Sequence, residues 1–177
     1  MSIAGQIFFG VLVVHEGGKN EGQLPINPKI LTQTVLGEQI QILGYTLPNE
    51  YPLDGGETII SPQIYWQAIK PVDGNYTIFV QLLDSNNQFI TSFDTQPLQG
   101  NYPTSLWQPG EMVVQGVDLT LPEQLPAGTY RLVTGMYNLD TGQRLTAADK
   151  RGNPLADNMV TLSNVIIAAD KIIVETP

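Results

Sequence analysis

Gln39, Ile40, Gln41 and Ile42 alternate polar and apolar side chains, the period-two pattern of a half-buried strand, and predict one strand over residues 38–47. Residues 48–56 are rich in Pro, Asn, Asp and Gly and end it. Residues 57–69 predict a second strand, with Pro62 at an edge or a bulge because proline has no N–H to give a ladder. Residues 76–83 are more continuously apolar, as a central strand would be, and Asp84, Ser85, Asn86 and Asn87 turn the chain into residues 88–93 to make a hairpin. A long connection of prolines, glycines and aromatics follows from Asp94 to Gly110. Residues 111–121 then predict a strand, ended by a Pro/Gly turn at 122–128. Residues 129–138 and 143–146 form a second hairpin about Asp140, Thr141 and Gly142, residues 158–168 a last core strand, and residues 171–174 a short extension. No segment sustains the helical period. The expected fold is therefore all-β, an immunoglobulin-like or jelly-roll-like antiparallel β-sandwich of seven to nine strands.

The first 28 residues stand apart from the sandwich expected over 29–177. Residues 3–14 are nearly all apolar, too few for a bilayer, which takes about 20. No Lys or Arg precedes them and no small-residue cleavage site follows before His15 and Glu16, so they do not read as a secretion signal. The β-branched and aromatic residues from Phe8 to Val14 favour a strand, and a membrane-proximal segment is the alternative. Residues 16–28, with their Gly, Asn and Pro, are expected to be a flexible linker.

Composition excludes more than it selects. A chain of 177 residues can bury about two-thirds of the surface its unfolded form exposes, so it needs no disulfide or metal staple. It has no cysteine, which removes thiol catalysis and cysteine-ligated zinc. Eight basic against 17 acidic residues give a net charge of −9 with no basic run, which argues against nucleic acid as a partner. Only 14% of residues are charged, so the surface is polar rather than ionic.

Two aromatic residues are expected in structural roles, with a ligand platform the alternative for Trp66 and a functional role the alternative for Tyr130. Trp66 shares a strand face with Ile64 and Ala68, as a core residue between sheets would. Tyr130, just after Gly128 at the head of a late strand, has the placement of a tyrosine corner, whose hydroxyl ties a loop to its strand. Around them the chain carries Ile42-Leu43-Gly44-Tyr45, Tyr65-Trp66-Gln67-Ala68, the run from Tyr76 to Asp84, Asp94 with Pro97 and Gly100, the run from Tyr102 to Glu111, the run from Leu125 to Leu132, and Gly135-Met136-Tyr137 with Arg144 and Leu145. In combination these resemble the C-terminal β-sandwich domain attached to polytopic membrane glycosyltransferases of the dolichyl-phosphate-mannose protein mannosyltransferase type, in Chloroflexota and cyanobacteria. The likeness covers residues 35–168. It implies a module on the extracytoplasmic side of the cell membrane, beside an enzyme whose active site lies in a membrane part that this sequence does not contain. The apolar residues before His15 would suit a junction to a last membrane helix.

No catalytic motif is present. His15 is the only histidine and lies beside the Gly-rich linker, and there is no Gly-x-Ser-x-Gly elbow, P-loop, dinucleotide fingerprint or zincin motif. Glycoside hydrolysis needs only two carboxylates at a set separation, but Asp54, Asp73, Asp84, Asp140 and Asp157 fall at turns, where Asp stabilises local geometry. No cofactor is expected. Calcium alone has a candidate loop, Asp84-Ser85-Asn86-Asn87, which lacks the Gly and terminal Glu of EF-hand spacing.

Carbohydrate recognition is the sharpest functional idea. Sugars are held by aromatic faces and planar polar side chains, and the long loop brings Asp94, Asn101, Tyr102, Trp107 and Gln108 close together in sequence. The competing expectation is a plug, with Pro103 and Trp107 folded over the end of the sandwich and Asp94 accepting main-chain N–H bonds to hold them. Three readings follow. The first is a non-catalytic accessory module that recognises or positions a glycan or lipid-linked sugar for a membrane glycosyltransferase. The second is a structural or protein-interaction domain with no ligand. The third is a glycan-active enzyme with an unrecognised carboxylate pair.

Overall fold

A computed structural model of the chain describes residues 27–177 and, as backbone strands, residues 7–8 and 11–14. In chain order the strands are β1 (Ile7–Phe8), β2 (Val11–Val14), β3 (Ile30–Leu36), β4 (Ile40–Thr46), β5 (Glu50–Pro52), β6 (Ile59–Ile60), β7 (Gln63–Ala68) and β8 (Tyr76–Leu83). They continue as β9 (Phe89–Thr95), β10 (Met112–Gly116), β11 (Leu119–Thr120), β12 (Gly128–Asn138), β13 (Ala147–Ala148), β14 (Val160–Ile167) and β15 (Lys171–Glu175). Three short turns, Pro97–Gly100, Thr104–Leu106 and Ala156–Asn158, and no α-helix accompany them among the described residues. Nine of these strands have five or more residues, in line with the expected sandwich, and the short ones are pieces that alternation alone does not resolve. The expected linker lies outside the described residues up to position 26.

Every pairing among the described residues is antiparallel. One sheet runs β1-β2-β10-β7-β4-β3-β13, the other β5-β15-β14-β12-β8-β9, and β11 pairs with β6 in a two-stranded sheet. Within the expected first segment, Val11–Val14 pairs with β10, Val13 opposite Val113. Between the layers Ile40, Ile42, Ile64, Trp66 and Val113 of the first sheet meet Ile78, Val80, Leu82, Leu132 and Met136 of the second in one cluster. Trp66 is fully buried there. Tyr130 donates its hydroxyl to the Pro126 carbonyl at 2.8 Å, the contact expected of a corner tyrosine.

Two expected strands break together. Residues 57–69 divide into β6 and β7, and residues 111–121 into β10 and β11. The two pieces pair with each other on both sides of the break, β7 with β10 and β6 with β11. Pro62 has no N–H for the ladder, so the paired chains bend as a unit there; the Val117 N–H reaches the Pro62 carbonyl at 3.1 Å and Ser61 Oγ donates to Asp118 Oδ1 at 2.7 Å. The second hairpin is also shorter than expected. Arg144 makes only a single bridge to Tyr137, and the chain then leaves to place Ala147–Ala148 on β3.

Two close approaches need glycine. A Cβ on Gly44 would lie 2.1 Å from the Ile30 carbonyl oxygen, and one on Gly135 would lie 2.6 Å from the Phe79 ring. Phe79 faces away from the core, yet it is buried, because the Arg144 guanidinium lies 4.6 Å from its ring centroid and Tyr137 packs beside it at 6.3 Å.

Candidate functional site

The long connection, residues 96–111, carries the chain from β9 at the edge of one sheet to β10 in the other, so it has to cross the end of the sandwich. Two turns shorten the path: Pro97–Gly100, with Leu98 and Gln99 in the left-handed region at φ +52° and +54°, and a 3-10 turn at Thr104–Leu106. Pro97 starts the first with its preset φ, and Thr104 anchors the second: its hydroxyl donates to the Gly74 carbonyl at 2.7 Å and accepts the Tyr76 N–H at 2.9 Å. The connection rejoins the sheet at Gly110, whose φ of +86° suits glycine and whose N–H donates to the Ala68 carbonyl at 2.7 Å.

Trp107 points inward. It is 1% exposed and belongs to the same core cluster as Trp66, with its indole N–H donating to the Tyr102 carbonyl at 3.3 Å. Its ring therefore offers no face to a ligand. Tyr102 is half-buried against that core, and its hydroxyl donates to Glu111 Oε1 at 2.5 Å. The other carboxylate oxygen of Glu111 accepts the Gln108 N–H at 2.7 Å. A buried carboxylate is tolerable only with such donors, and here two of them close the loop on itself. Burial, and then the neighbouring Glu111 carboxylate, push the Tyr102 hydroxyl pKa well above its ordinary value.

The carboxylate that holds the loop is thus Glu111 and not Asp94, which corrects the expectation from sequence. Asp94 stands on β9, opposite Phe79 on the outer face of its sheet, and its Oδ2 accepts the Tyr137 hydroxyl at 3.0 Å. Two other candidates are exposed on the loop: Asn101 donates to the Leu98 carbonyl at 3.0 Å and Gln108 Nε2 to the Leu106 carbonyl at 3.2 Å. The five residues do not converge on one surface. Three positions carry outward-facing polar atoms, one lies in the core, and Tyr102 is engaged by its neighbour.

Of the five turn acids, Asp54, Asp73 and Asp84 act as local braces through their carboxylates, while Asp157 accepts Arg144 only through its main-chain carbonyl. Asp84 Oδ1 accepts the N–H groups of Asn86 and Gln88, both at 2.8 Å, and Asp54 Oδ1 accepts that of Gly56 at 3.2 Å. Asp73 Oδ1 takes the Tyr76 hydroxyl at 2.6 Å and the Gln39 amide at 2.9 Å, and these two bonds hold its carboxyl below the usual range. At Asp140 the bracing comes from Asn138 instead, whose Oδ1 accepts the Asp140 and Thr141 N–H groups, each at 3.0 Å. No group of three or more His, Cys, Asp or Glu gathers at a point that would hold a metal ion among the described residues.

Sequence reasoning gave no role to two side chains that tie parts of this molecule together: Glu111, which fastens the loop, and Tyr45, whose hydroxyl donates to the Leu162 carbonyl of the facing sheet. Only Glu111 carried a signal, its place directly after the Pro109-Gly110 turn at a strand head. No protein-family model matches the chain, and a search of curated proteins finds no relative.

Proposed function

We propose that the chain is a non-catalytic accessory β-sandwich module of a membrane glycosyltransferase, working on the extracytoplasmic side through contact with protein rather than through a sugar site on its long loop. The association and the location rest on the resemblance of residues 35–168 to such modules. The observation that carries the choice between protein and sugar is the inward Trp107, 1% exposed, with Glu111 fastening the loop around it. An aromatic ring stacks on a sugar only where its face is open to solvent, and this loop buries Trp107 in the core and half-buries Tyr102.

A panel of mannose-, glucose- and uronate-containing oligosaccharides, titrated against the chain by calorimetry, tests the reading. No saturable binding is expected. Binding that Asn101→Ala or Gln108→Ala abolishes, with unfolding midpoints unchanged, would return the loop to glycan recognition. Glycoside cleavage or transfer lost on a single carboxylate substitution would make the chain an enzyme.

A further inference from the structure

Most of the strands that end a sheet here are short. β1, β6, β11 and β13 have two residues each, and β5 has three, the last of them Pro52. β9 ends its sheet with seven, Phe89–Thr95, and among the described residues it pairs only with β8. Shortness, proline and lysine are the usual guards of a sheet edge, and β9 has none of the three. It carries a bulge instead: Thr91 stands opposite Leu82 and Phe89 opposite Leu83, so Ile90 is the extra residue and only 91–95 keep one inside-outside phase.

Those five residues are Thr91, Ser92, Phe93, Asp94 and Thr95. Thr91, Phe93 and Thr95 stand opposite the core residues Leu82, Val80 and Ile78 and face inward; Ser92 and Asp94 stand opposite Gln81 and Phe79, face outward and are exposed. The segment is symmetric in its chemistry about Phe93. An antiparallel second copy, related by a two-fold axis at Phe93, sets Phe93 against Phe93, Thr91 against the partner's Thr95 and Ser92 against the partner's Asp94. Aromatic pairs, threonine pairs and a hydroxyl beside a carboxylate are all favourable across strands, and no two carboxylates are opposed. Asp94 Oδ2 accepts the Tyr137 hydroxyl at 3.0 Å, which leaves Oδ1 for the partner's Ser92 hydroxyl. An axis at Ser92 would keep only three residues in phase, so the axis at Phe93 is the one that uses the whole segment.

We propose that two copies of this chain pair through β9 in this register, joining their six-stranded sheets into one continuous sheet. Five residues a side cover less than the roughly 1,200 Å² of a stable complex, so the dimer is weak and forms only at high concentration. Self-pairing at β9 is independent of the accessory-module reading and would stand without it.

Sedimentation equilibrium of the chain from about 10 µM to 1 mM tests association. A monomer–dimer equilibrium is expected. Ser92→Asp should weaken it about tenfold, because it opposes two carboxylates twice in each dimer. Adding Asp94→Ser restores the pair in reverse at the parent's net charge and should recover the affinity. Both positions are exposed, so the variants keep the fold, and thermal midpoints check each one. The chain has no cysteine, so Ser92→Cys and Asp94→Cys report the register. Opposite residues have Cα atoms about 4.5–5.5 Å apart, within disulfide reach, whereas the two copies of either position would lie about 8 Å apart. A mixture of the two cysteine variants should therefore oxidise mainly to the mixed disulfide. A monomer up to about 1 mM overturns the proposal. So does a dimer that Ser92→Asp leaves unchanged or that the double variant does not recover, and so does a mixed disulfide no more abundant than the symmetric ones together.

Discussion

The Tyr45 hydroxyl donates to the main-chain carbonyl of Leu162, joining the two sheets at a place where each carries a bulge. On β4 the extra residue is Leu43, since Ile42 faces Trp66 and Gly44 already faces Tyr65. On β14 it is Leu162, between Thr161 opposite Val133 and Ser163 opposite Leu132. Each bulge shifts the inside-outside phase by one residue, which turns Tyr45 and Ser163 into the core. The bulge also frees the Leu162 carbonyl from the ladder, and the Tyr45 hydroxyl, 3.1 Å from Ser163 Oγ as well, satisfies it.

Tyr45→Phe should therefore destabilise the domain by about 1–3 kcal/mol, because it leaves a buried carbonyl without its donor. Ser163→Ala should cost less, since Leu162 keeps Tyr45. Urea unfolding of the three proteins checks the order, and equal costs would mean that the carbonyl is satisfied by another group.

Trp107→Ala should cost about 3–5 kcal/mol, as removal of a core aromatic does. A loss under about 1 kcal/mol would instead mark a surface residue. Glu111→Ala should loosen the same loop by removing the acceptor of both Tyr102 and Gln108, and should speed proteolysis within residues 96–111 more than elsewhere.

Gly44→Ala and Gly135→Ala separate two kinds of crowding. The added methyl at 44 meets the Ile30 carbonyl, which is main chain and cannot turn away; the one at 135 meets the Phe79 ring, which is a side chain. Overpacking costs about 1–3 kcal/mol in general, and we expect Gly44→Ala to exceed that range while Gly135→Ala stays within it. Adding Phe79→Leu should recover part of the loss at 135 and none at 44, as thermal midpoints will show.

Alkaline pH should unfold the protein earlier than a chain with ordinary tyrosines. The hydroxyl pKa values of Tyr45, Tyr51, Tyr76, Tyr102 and Tyr137 are all raised, chiefly by burial. A group whose folded-state value is raised binds its proton more tightly when folded. Its contribution is complete below about pH 10 and declines as pH rises through the folded value. Urea midpoints should thus fall above about pH 10, less steeply in Tyr102→Phe. At the acid end Asp73, whose value is lowered by Tyr76 and Gln39, contributes above the usual carboxylate range and loses that contribution as pH falls; Asp73→Asn should flatten this limb.

Particular residues show how far the chain could be read in advance. The hairpin of β8 and β9, the buried Trp66 and the Tyr130 corner were legible because each depends on neighbours in sequence: alternation, an Asp/Asn turn, a glycine before a strand. The loop was legible as the place where the chain does something unusual, but its direction was not. A sequence such as Tyr102-Pro103-Thr104-Ser105-Leu106-Trp107 is compatible with aromatic rings facing either way. Burial depends on whether space is left between the sheets, which no local pattern records.

The amino-acid sequence by itself determined an all-β chain, since period-two alternation and punctuation by Pro, Gly, Asn and Asp act over a few residues. Tertiary structure alone decided the bulges at Leu43 and Leu162, the joint bend at Pro62 and Val117, and the choice of Glu111 over Asp94. These depend on which strands become neighbours across long sequence separations. A one-residue change of phase in either partner reverses which side chains face the core.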